Sequence, residues 1–318
     1  MKPPYKITGK ILRLVSFVSE KIGEIKSAHL SKPPTELRKR NRIKTIHSSL
    51  EIEGNTLTIE QITAIIENKR VIGPKKDILE VKNAIAVYNY IDKLNPYSFS
   101  SFCKAHSILM DGLVESAGRL RNKSVGIVKN TEITHLAPQS KMLKSLIFDL
   151  FEYLKNDDDL LIIKSCVFHY ELEFIHPFTD GNGRMGRLWQ TLILKDKYPV
   201  FEFLPIETII RERQEDYYKA LGVSDNTGES TIFIEFMLEV IVESLEELLN
   251  IQNVNLTNND RLSVYKSIIK ADYFSRKDYL RYFKDISGAT ASRDFKYGVE
   301  NELIEKEGDK NTTRYRFL

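Results

Sequence analysis

Twelve consecutive residues, His176-Pro177-Phe178-Thr179-Asp180-Gly181-Asn182-Gly183-Arg184-Met185-Gly186-Arg187, hold the densest chemistry in the chain. One imidazole, one carboxylate, a Gly-Asn-Gly turn and two guanidiniums fall within a few residues of one another. An imidazole titrates near neutral pH and suits the work of a general base toward an incoming hydroxyl. Free backbone N–H groups around Gly181 to Gly183, at a helix start, attract anionic oxygens. Arg184 and Arg187 stand three apart, on one helical face, where they can clamp phosphate oxygens. Asp180 offers a hard oxygen of the kind Mg²⁺ takes together with substrate phosphates.

The elements that must position these groups lie on either side. Leu160 to Ile175 is an apolar stretch too long for an ordinary strand and is expected as a buried helix. Leu188 to Leu194 is a second such run, so the motif reads as helix, loop and helix start. Gly181, Gly183 and Gly186 also fit the spacing G-x-G-x-x-G of a dinucleotide-binding turn. That turn needs a preceding strand; here a helix precedes it and two arginines occupy it, so the reading is set aside.

The twelve residues resemble the signature of Fic (fido) domains, H-x-F-x-[D/E]-G-N-G-R-x-x-R, at every fixed position. The resemblance implies a mainly α fold, a Fic-type helical bundle with a small β-hairpin flap. It implies transfer of a nucleotide monophosphate, most often AMP from ATP, onto a Ser, Thr or Tyr hydroxyl of a protein. His176 would then be the catalytic base and Asp180 the Mg²⁺ ligand. Gly181, Asn182, Gly183, Arg184, Met185, Gly186 and Arg187 would hold the nucleotide. The kinase-like Doc branch carries Lys where this chain has Gly183, which argues against phosphorylation. Farther on, Tyr217-Tyr218 corresponds to a tyrosine pair that lines the adenine pocket in the family, with Asp225 or Asn226 touching the base. One tyrosine packed and the other solvated is the plainer alternative.

A second motif lies far upstream. Gly54-Asn55 suits a helix C-cap, and Glu53 is an acid at the negative end of its helix, which invites a cationic partner. Ser49, Glu53 and Gly54 resemble the Fic inhibitory motif [S/T]-x-x-x-E-[G/N]. In the family that glutamate pairs with the second signature arginine, here Arg187, and keeps it from the ATP γ-phosphate.

The rest of the chain reads as punctuated helices: about 11–30, 35–49, 59–69 (opened by a Thr58-x-x-Gln61 capping box), 77–94, 98–110 and 139–154. Glu80 and Asn83 carry no local signal of a role. His106 reads as a packing histidine, His169 as packing or support for the site, and Asp157 to Asp159 as helix-capping acids. Between 112 and 138 the helical pattern lapses, and two β-prone runs around Lys129-Asn130-Thr131 predict a hairpin. The resemblance makes it the flap that aligns a target's backbone by strand addition; His135 within it reads as a solvated loop residue. Ile206 to Val223 is expected as one amphipathic helix, followed by another from Thr231 to Leu249.

Four regions are expected: an N-terminal helical region 1–110 including the inhibitory segment (about 36–55), a core 111–250 with the flap (about 122–137), a polar linker 251–260, and 261–318. The last, three short helices and two strands, resembles a winged helix-turn-helix. Such modules bind DNA, but basic and acidic residues are nearly balanced there, so DNA and a protein partner stand level. The apolar face of the first helix serves the core or a homodimer contact.

Composition excludes little else. Forty-two per cent hydrophobic and 29% charged residues suit a globular protein, and a net charge of +3 gives no bulk attraction to nucleic acid. No run reaches transmembrane length, and Cys103 and Cys166, both in apolar helical runs, read as buried thiols of a cytoplasmic protein. The leading reading is an ATP- and Mg²⁺-using protein adenylyltransferase, restrained by Glu53, that acts on a target protein or on itself. The alternatives are a nucleotide-sensing DNA-binding regulator and a transferase with another NTP or a phosphocholine conjugate as donor.

Overall fold

The computed structural model describes residues 2–28, 30–123, 126–129, 132–255, 257–269, 272–283, 286–309 and 313–318. Helix α1 (Gly9–Ser27) starts where the Thr8 side chain accepts from the Ile11 N–H, and it buries Ile11, Leu14, Val18, Ile22 and Ile25, one stripe at helical spacing. Helix α2 (Thr35–Glu51) buries Ile46, Leu50 and also the polar Asn41, Thr45, Ser48 and Ser49. Buried polar groups need partners: Asn41 donates to the Phe203 carbonyl at 2.9 Å, and Ser48 lies 3.2 Å from the Thr208 hydroxyl. Helix α2 is therefore docked by hydrogen bonds more than by apolar area. The expected Thr58–Gln61 capping box opens α3 (Ile59–Ile66), and α4 (Lys75–Asn89) and α5 (Phe99–Leu109) follow.

The expected hairpin is present as β1 (Gly126–Lys129) and β2 (Glu132–Leu136), antiparallel, with a bulge between Ile127 and Val128. Its connecting residues 130–131, and the side chains of both strands, His135 included, lie outside the described residues. Helix α6 (Leu143–Asn156) then leads to α7 (Leu161–Ile175) and α8 (Asn182–Lys197). Both α7 and α8 are buried around nearly their whole circumference, as their unbroken apolar runs require. Phe102, Phe151, Phe168, Phe178 and Trp189 interlock edge-on and tilted around them, with Phe102 5.1 Å from both Phe178 and Trp189. The acids at 157–159 do not cap α7: its cap residue is Leu160, without a side-chain bond. Asp159 instead accepts from Tyr5 and Tyr153 and pairs with Lys2, which fastens the N-terminal segment.

The helix expected over 206–223 is two, α9 (Ile206–Glu212) and α10 (Gln214–Thr227), broken at Arg213. No Gly or Pro marks the break. Arg213, with φ −110° and ψ 33°, is held from outside the helix, by Glu239 at 2.9 Å and by the face of Phe236. Phe236 and Glu239 belong to α11 (Thr231–Asn255). The polar stretch 251–260, expected as linker, is helical up to Asn255 and helical again from Asn258, where a Thr257–Asp260 capping box opens α12 (Asn258–Ile268).

The chain divides into two compact units, Met1–Pro33 with Leu37–Leu245, and Pro34–Glu36 with Glu246–Leu318. The N-terminal helices and the signature region, read separately from the sequence, thus share one unit, because α1, α2, α4 and α5 bury side chains in the same core. In the second unit α12, α13 (Arg276–Tyr282) and α14 (Gly288–Glu300) precede an antiparallel pair, β3 (Ile304–Glu307) and β4 (Arg314–Phe317). The expected turn at 308–310 falls partly outside the described residues. Leu262, Tyr265, Phe274, Tyr279, Ala291, Phe295 and Ile304 form its core. Among the described residues no helix is long and apolar enough to cross a membrane. Asp294, fully buried, accepts twice from Arg261 at 2.6 Å and once from Tyr279 at 3.1 Å. Asp294→Ala leaves a buried guanidinium without its carboxylate and should destabilise this unit by about 3–5 kcal/mol. Urea unfolding of the full chain measures it; a loss below about 1 kcal/mol would mean that the pair is a solvated one.

Candidate active site

Helix α7 ends on His176 in a left-handed conformation, φ 48° and ψ 61°. For a residue with a Cβ this backbone is uncommon and must be held by its surroundings. The His176 N–H still bonds the Leu172 carbonyl at 3.0 Å, and its own carbonyl accepts from Arg121 Nε at 2.7 Å. The imidazole is thereby turned out of the helix to the wall of a cavity of about 810 Å³. Glu53, Asp180, Gly181, Asn182, Gly183, Arg187, Tyr217, Tyr218 and Asp225 line the same cavity, so residues from three separate stretches of sequence meet there.

The turn into α8 is closed by Asn182. Its amide oxygen accepts from the Phe178 N–H at 2.9 Å and its amide nitrogen donates to the Phe178 carbonyl at 3.0 Å. The Asn182 side chain is a staple of the loop, and what that residue can present to an anion is its backbone N–H. Helix α8 begins at Asn182, so the N–H groups of Asn182, Gly183 and Arg184 are those a helix start leaves over. Met185 and Gly186, expected among the nucleotide contacts, lie elsewhere. The Met185 N–H already bonds the Gly181 carbonyl and its side chain is fully buried. Gly186 faces His169 and Glu173, where a Cβ would come within 2.7 Å of the His169 ring. Position along the motif suggested contact; one turn into a buried helix, the backbone is bonded and the side chains face the core.

Arg184 is buried and bonds Glu80 and Asp180, each at 3.2 Å, while its Nε–H has no partner among the described residues. Glu80 in turn accepts from Asn55 at 2.8 Å, which links the loop after α2 to the signature. Nothing local in the sequence around Glu80 pointed to this. Asp180 uses one oxygen, Oδ1, for the Gly181 N–H and Arg184, and about half of its side chain remains exposed. A single carboxylate beside an anion cradle fits Mg²⁺ carried in with phosphates better than a resident metal, and no cluster of three or more metal-ligating side chains occurs among the described residues.

Arg187 is 3% exposed. It donates to Glu53 Oε1 at 2.7 Å, to the Ser49 carbonyl at 2.9 Å and to the Ser49 hydroxyl at 3.2 Å. Burial works to lower its pKa, but the negative charges around it, Glu53 first, leave it raised. Glycine at 183 leaves room for the Glu53 carboxylate in this position: a Cβ there would lie 2.5 Å from Glu53 Oε1, which would then have to shift. Of the tyrosine pair, Tyr217 is 1% exposed and donates toward His169, whereas Tyr218 is 38% exposed on the cavity. Asp225 accepts from Tyr170 at 3.0 Å at the far end. Glu173, which the sequence did not single out, also lines the cavity; burial raises its pKa, yet His169, His176 and Arg187 bring it below the usual value.

His106 proves to be more than packing. Its Nδ1 accepts from the Gly118 N–H at 2.8 Å, so the proton sits on Nε2 and is donated to the Asp180 carbonyl at 2.9 Å. The ring stacks on Phe178 at 3.6 Å and 8°. Burial pushes its pKa down to about 4, so the bridge is neutral. As pH falls, the unfolded chain takes up this proton near 6.5, well before the folded one does. The bridge's stability is therefore whole above about pH 6.5 and is lost toward pH 4. His106→Gln should cost most at neutral pH, and the gap to wild type should narrow by on the order of 3 kcal/mol by pH 4. Urea unfolding at several pH values checks this, and a gap that does not change with pH would sink the neutral-bridge assignment.

Residues 96–194 match the Fic/DOC family. A Fic family protein of Desulfovibrio desulfuricans G20 is 39% identical in its solved structure, over all of this chain and 98% of its own, with a TM-score of 0.77. Two curated relatives are the protein adenylyltransferase Fic of Nematostella vectensis, 28% identical over 76% of this chain and 57% of its own, and the protein adenylyltransferase fic-1 of Caenorhabditis elegans, 30% identical over 67% and 42%. The chain spans about half the length of the curated relatives it matches. With its full-length likeness to a solved member and a complete signature whose His176, Asp180 and Arg187 line the cavity, the chain belongs to the Fic/DOC family.

Proposed function

We propose that this chain is a protein adenylyltransferase, which moves AMP from ATP to a hydroxyl of a protein and is restrained in cis by Glu53. The observation that carries the reading is one cavity with a histidine, a helix N-terminus, a half-exposed carboxylate and a buried arginine on its wall. The names of the relatives support the same activity. A triphosphate fits the cavity with its base against Tyr218, within reach of Asp225, and its phosphates on the start of α8. The acceptor hydroxyl oxygen attacks the α-phosphorus, its proton passes to His176, and the bond to the β-phosphate oxygen breaks to release pyrophosphate. Asp180 would hold Mg²⁺, which supplies positive charge to the phosphates when bound. The β1–β2 hairpin is the flap on which the target's backbone adds as a strand.

The restraint follows from the ion pair. While Arg187 is bonded to Glu53 and Ser49, three of its five N–H donors are taken, and the Glu53 carboxylate stands where a γ-phosphate would have to pair with it. Breaking a charge-assisted bond of this kind shifts a balance by about 1.5–3 kcal/mol, roughly a tenfold to hundredfold change. Glu53→Gly should therefore raise auto-modification with ATP and Mg²⁺ by roughly that factor, and His176→Ala in the same background should lower it by about a hundredfold or more. Intact-mass measurement reads both the rate and the added group, so a mass other than that of AMP would identify another donor. Unchanged modification in Glu53→Gly, with loss in His176→Ala, would remove the inhibitory role and leave the transferase.

The second unit has the element order of a winged helix-turn-helix. A groove in it carries Arg276, Lys277, Lys296 and Lys306 against Glu300 and Asp309, a basic excess that favours an anionic partner. Salt-sensitive DNA binding that survives His176→Ala would support the regulator reading.

A further inference from the structure

Arg121 sits between the hairpin and the end of α7, 4% exposed, and among the described residues its side-chain bonds all go to main-chain carbonyls. Nε donates to His176 at 2.7 Å, Nη1 to Lys123 at 2.7 Å, and Nη2 to Pro138 at 2.6 Å and Ile175 at 3.3 Å. Its own N–H donates to Pro177 at 2.9 Å. Lys123 and Pro138 flank the β1–β2 hairpin on its two sides, while Ile175 and His176 end α7. One guanidinium thus joins both stems of the hairpin to the residue that bears the imidazole.

The arrangement is unusual for a buried cation. No carboxylate is among these partners, and burial lowers the Arg121 pKa. Its charge is balanced by carbonyl dipoles, two of them at the negative end of α7. The flat fork reaches carbonyls in several directions at once, which the compact ammonium of lysine does not. A side chain needed only to fill space would not require four hydrogen bonds aimed at three segments. The His176 carbonyl is also the group whose direction fixes the left-handed turn, so the bond that anchors the hairpin also orients the imidazole.

We propose that Arg121 is a positioning residue that sets the register between the hairpin and His176, and thereby makes a hydroxyl presented on the hairpin, rather than water, the acceptor. The inference rests on the hairpin acting as the flap. A hydroxyl brought in by strand addition is placed by the hairpin backbone, whereas a water molecule reaches His176 without it. Loss of the clamp therefore separates two reactions of one active site.

The test uses the full chain with Glu53→Gly as the active background. Arg121→Lys is added to it, with ATP and Mg²⁺, and transfer to protein is followed beside AMP release by hydrolysis and nucleotide affinity. Transfer should fall on the order of tenfold to a hundredfold, the cost of a misplacement of about 1 Å, with hydrolysis and affinity within about twofold. Equal loss of transfer and hydrolysis, or no loss, overturns the proposal. Hydrogen exchange reads the same claim without catalysis: Arg121→Gln should speed exchange at 122–138 and leave α8 protected, and a uniform rise or none overturns it. A third variant, with 124–136 replaced by two glycines, tells the failures apart. If it still transfers to protein like Glu53→Gly, the flap reading itself is wrong.

Discussion

A guanidinium buried as deeply as that of Arg187 needs partners that balance its charge, and here a carboxylate is the first of them. Much of the site follows from this. The side chain lies on a helix whose whole circumference is in the core, so it cannot swing to solvent. The anion has to come to it, and two kinds can: a carboxylate of the chain or a phosphate of a ligand. In the observed state the carboxylate is Glu53, and Ser49 supplies two more acceptors. A Cβ at Gly183 would lie 2.5 Å from the Glu53 carboxylate, so glycine leaves room for it there. One buried cation thus ties the end of α2 to the start of α8.

The geometry of His176 depends on a different constraint, the junction of α7 and α8. A helix ends with free carbonyls and begins with free N–H groups. Here the end of one and the start of the next lie on the same cavity. The free carbonyls are taken by Arg121, and the loop between is closed by Asn182 on Phe178 and by His106 on Asp180. His176, Thr179, the Asp180 carboxylate and the N–H groups at the start of α8 are left at the cavity. Each internal bond that fixes the loop takes up a polar group that would otherwise be left over.

The sequence by itself determined the things that are local. The spacing of histidine, acid, glycines and arginines is a property of twelve residues, and the two apolar runs beside them could bury themselves only as helices. Capping residues at Thr58 and the lapse of periodicity before 138 likewise placed a helix start and a hairpin. Glu53 was legible because an acid at the negative end of its helix is unfavourable without a cation nearby.

Tertiary structure decided what a linear reading has no access to. Glu80, His106 and Arg121 lie 54 to 104 positions from the residues they bond in and beside the signature, on helices or turns with no local oddity. Their roles exist only because packing brings them within bonding distance. The break at Arg213 is of the same kind, imposed by Glu239 and Phe236 rather than by Gly or Pro. Met185 and Gly186 are a case where motif position and placement part: neither lines the cavity, and the Met185 side chain lies in the core. Spacing in a sequence fixes which residues share a face; burial and partner distance decide which of them are free to meet a ligand.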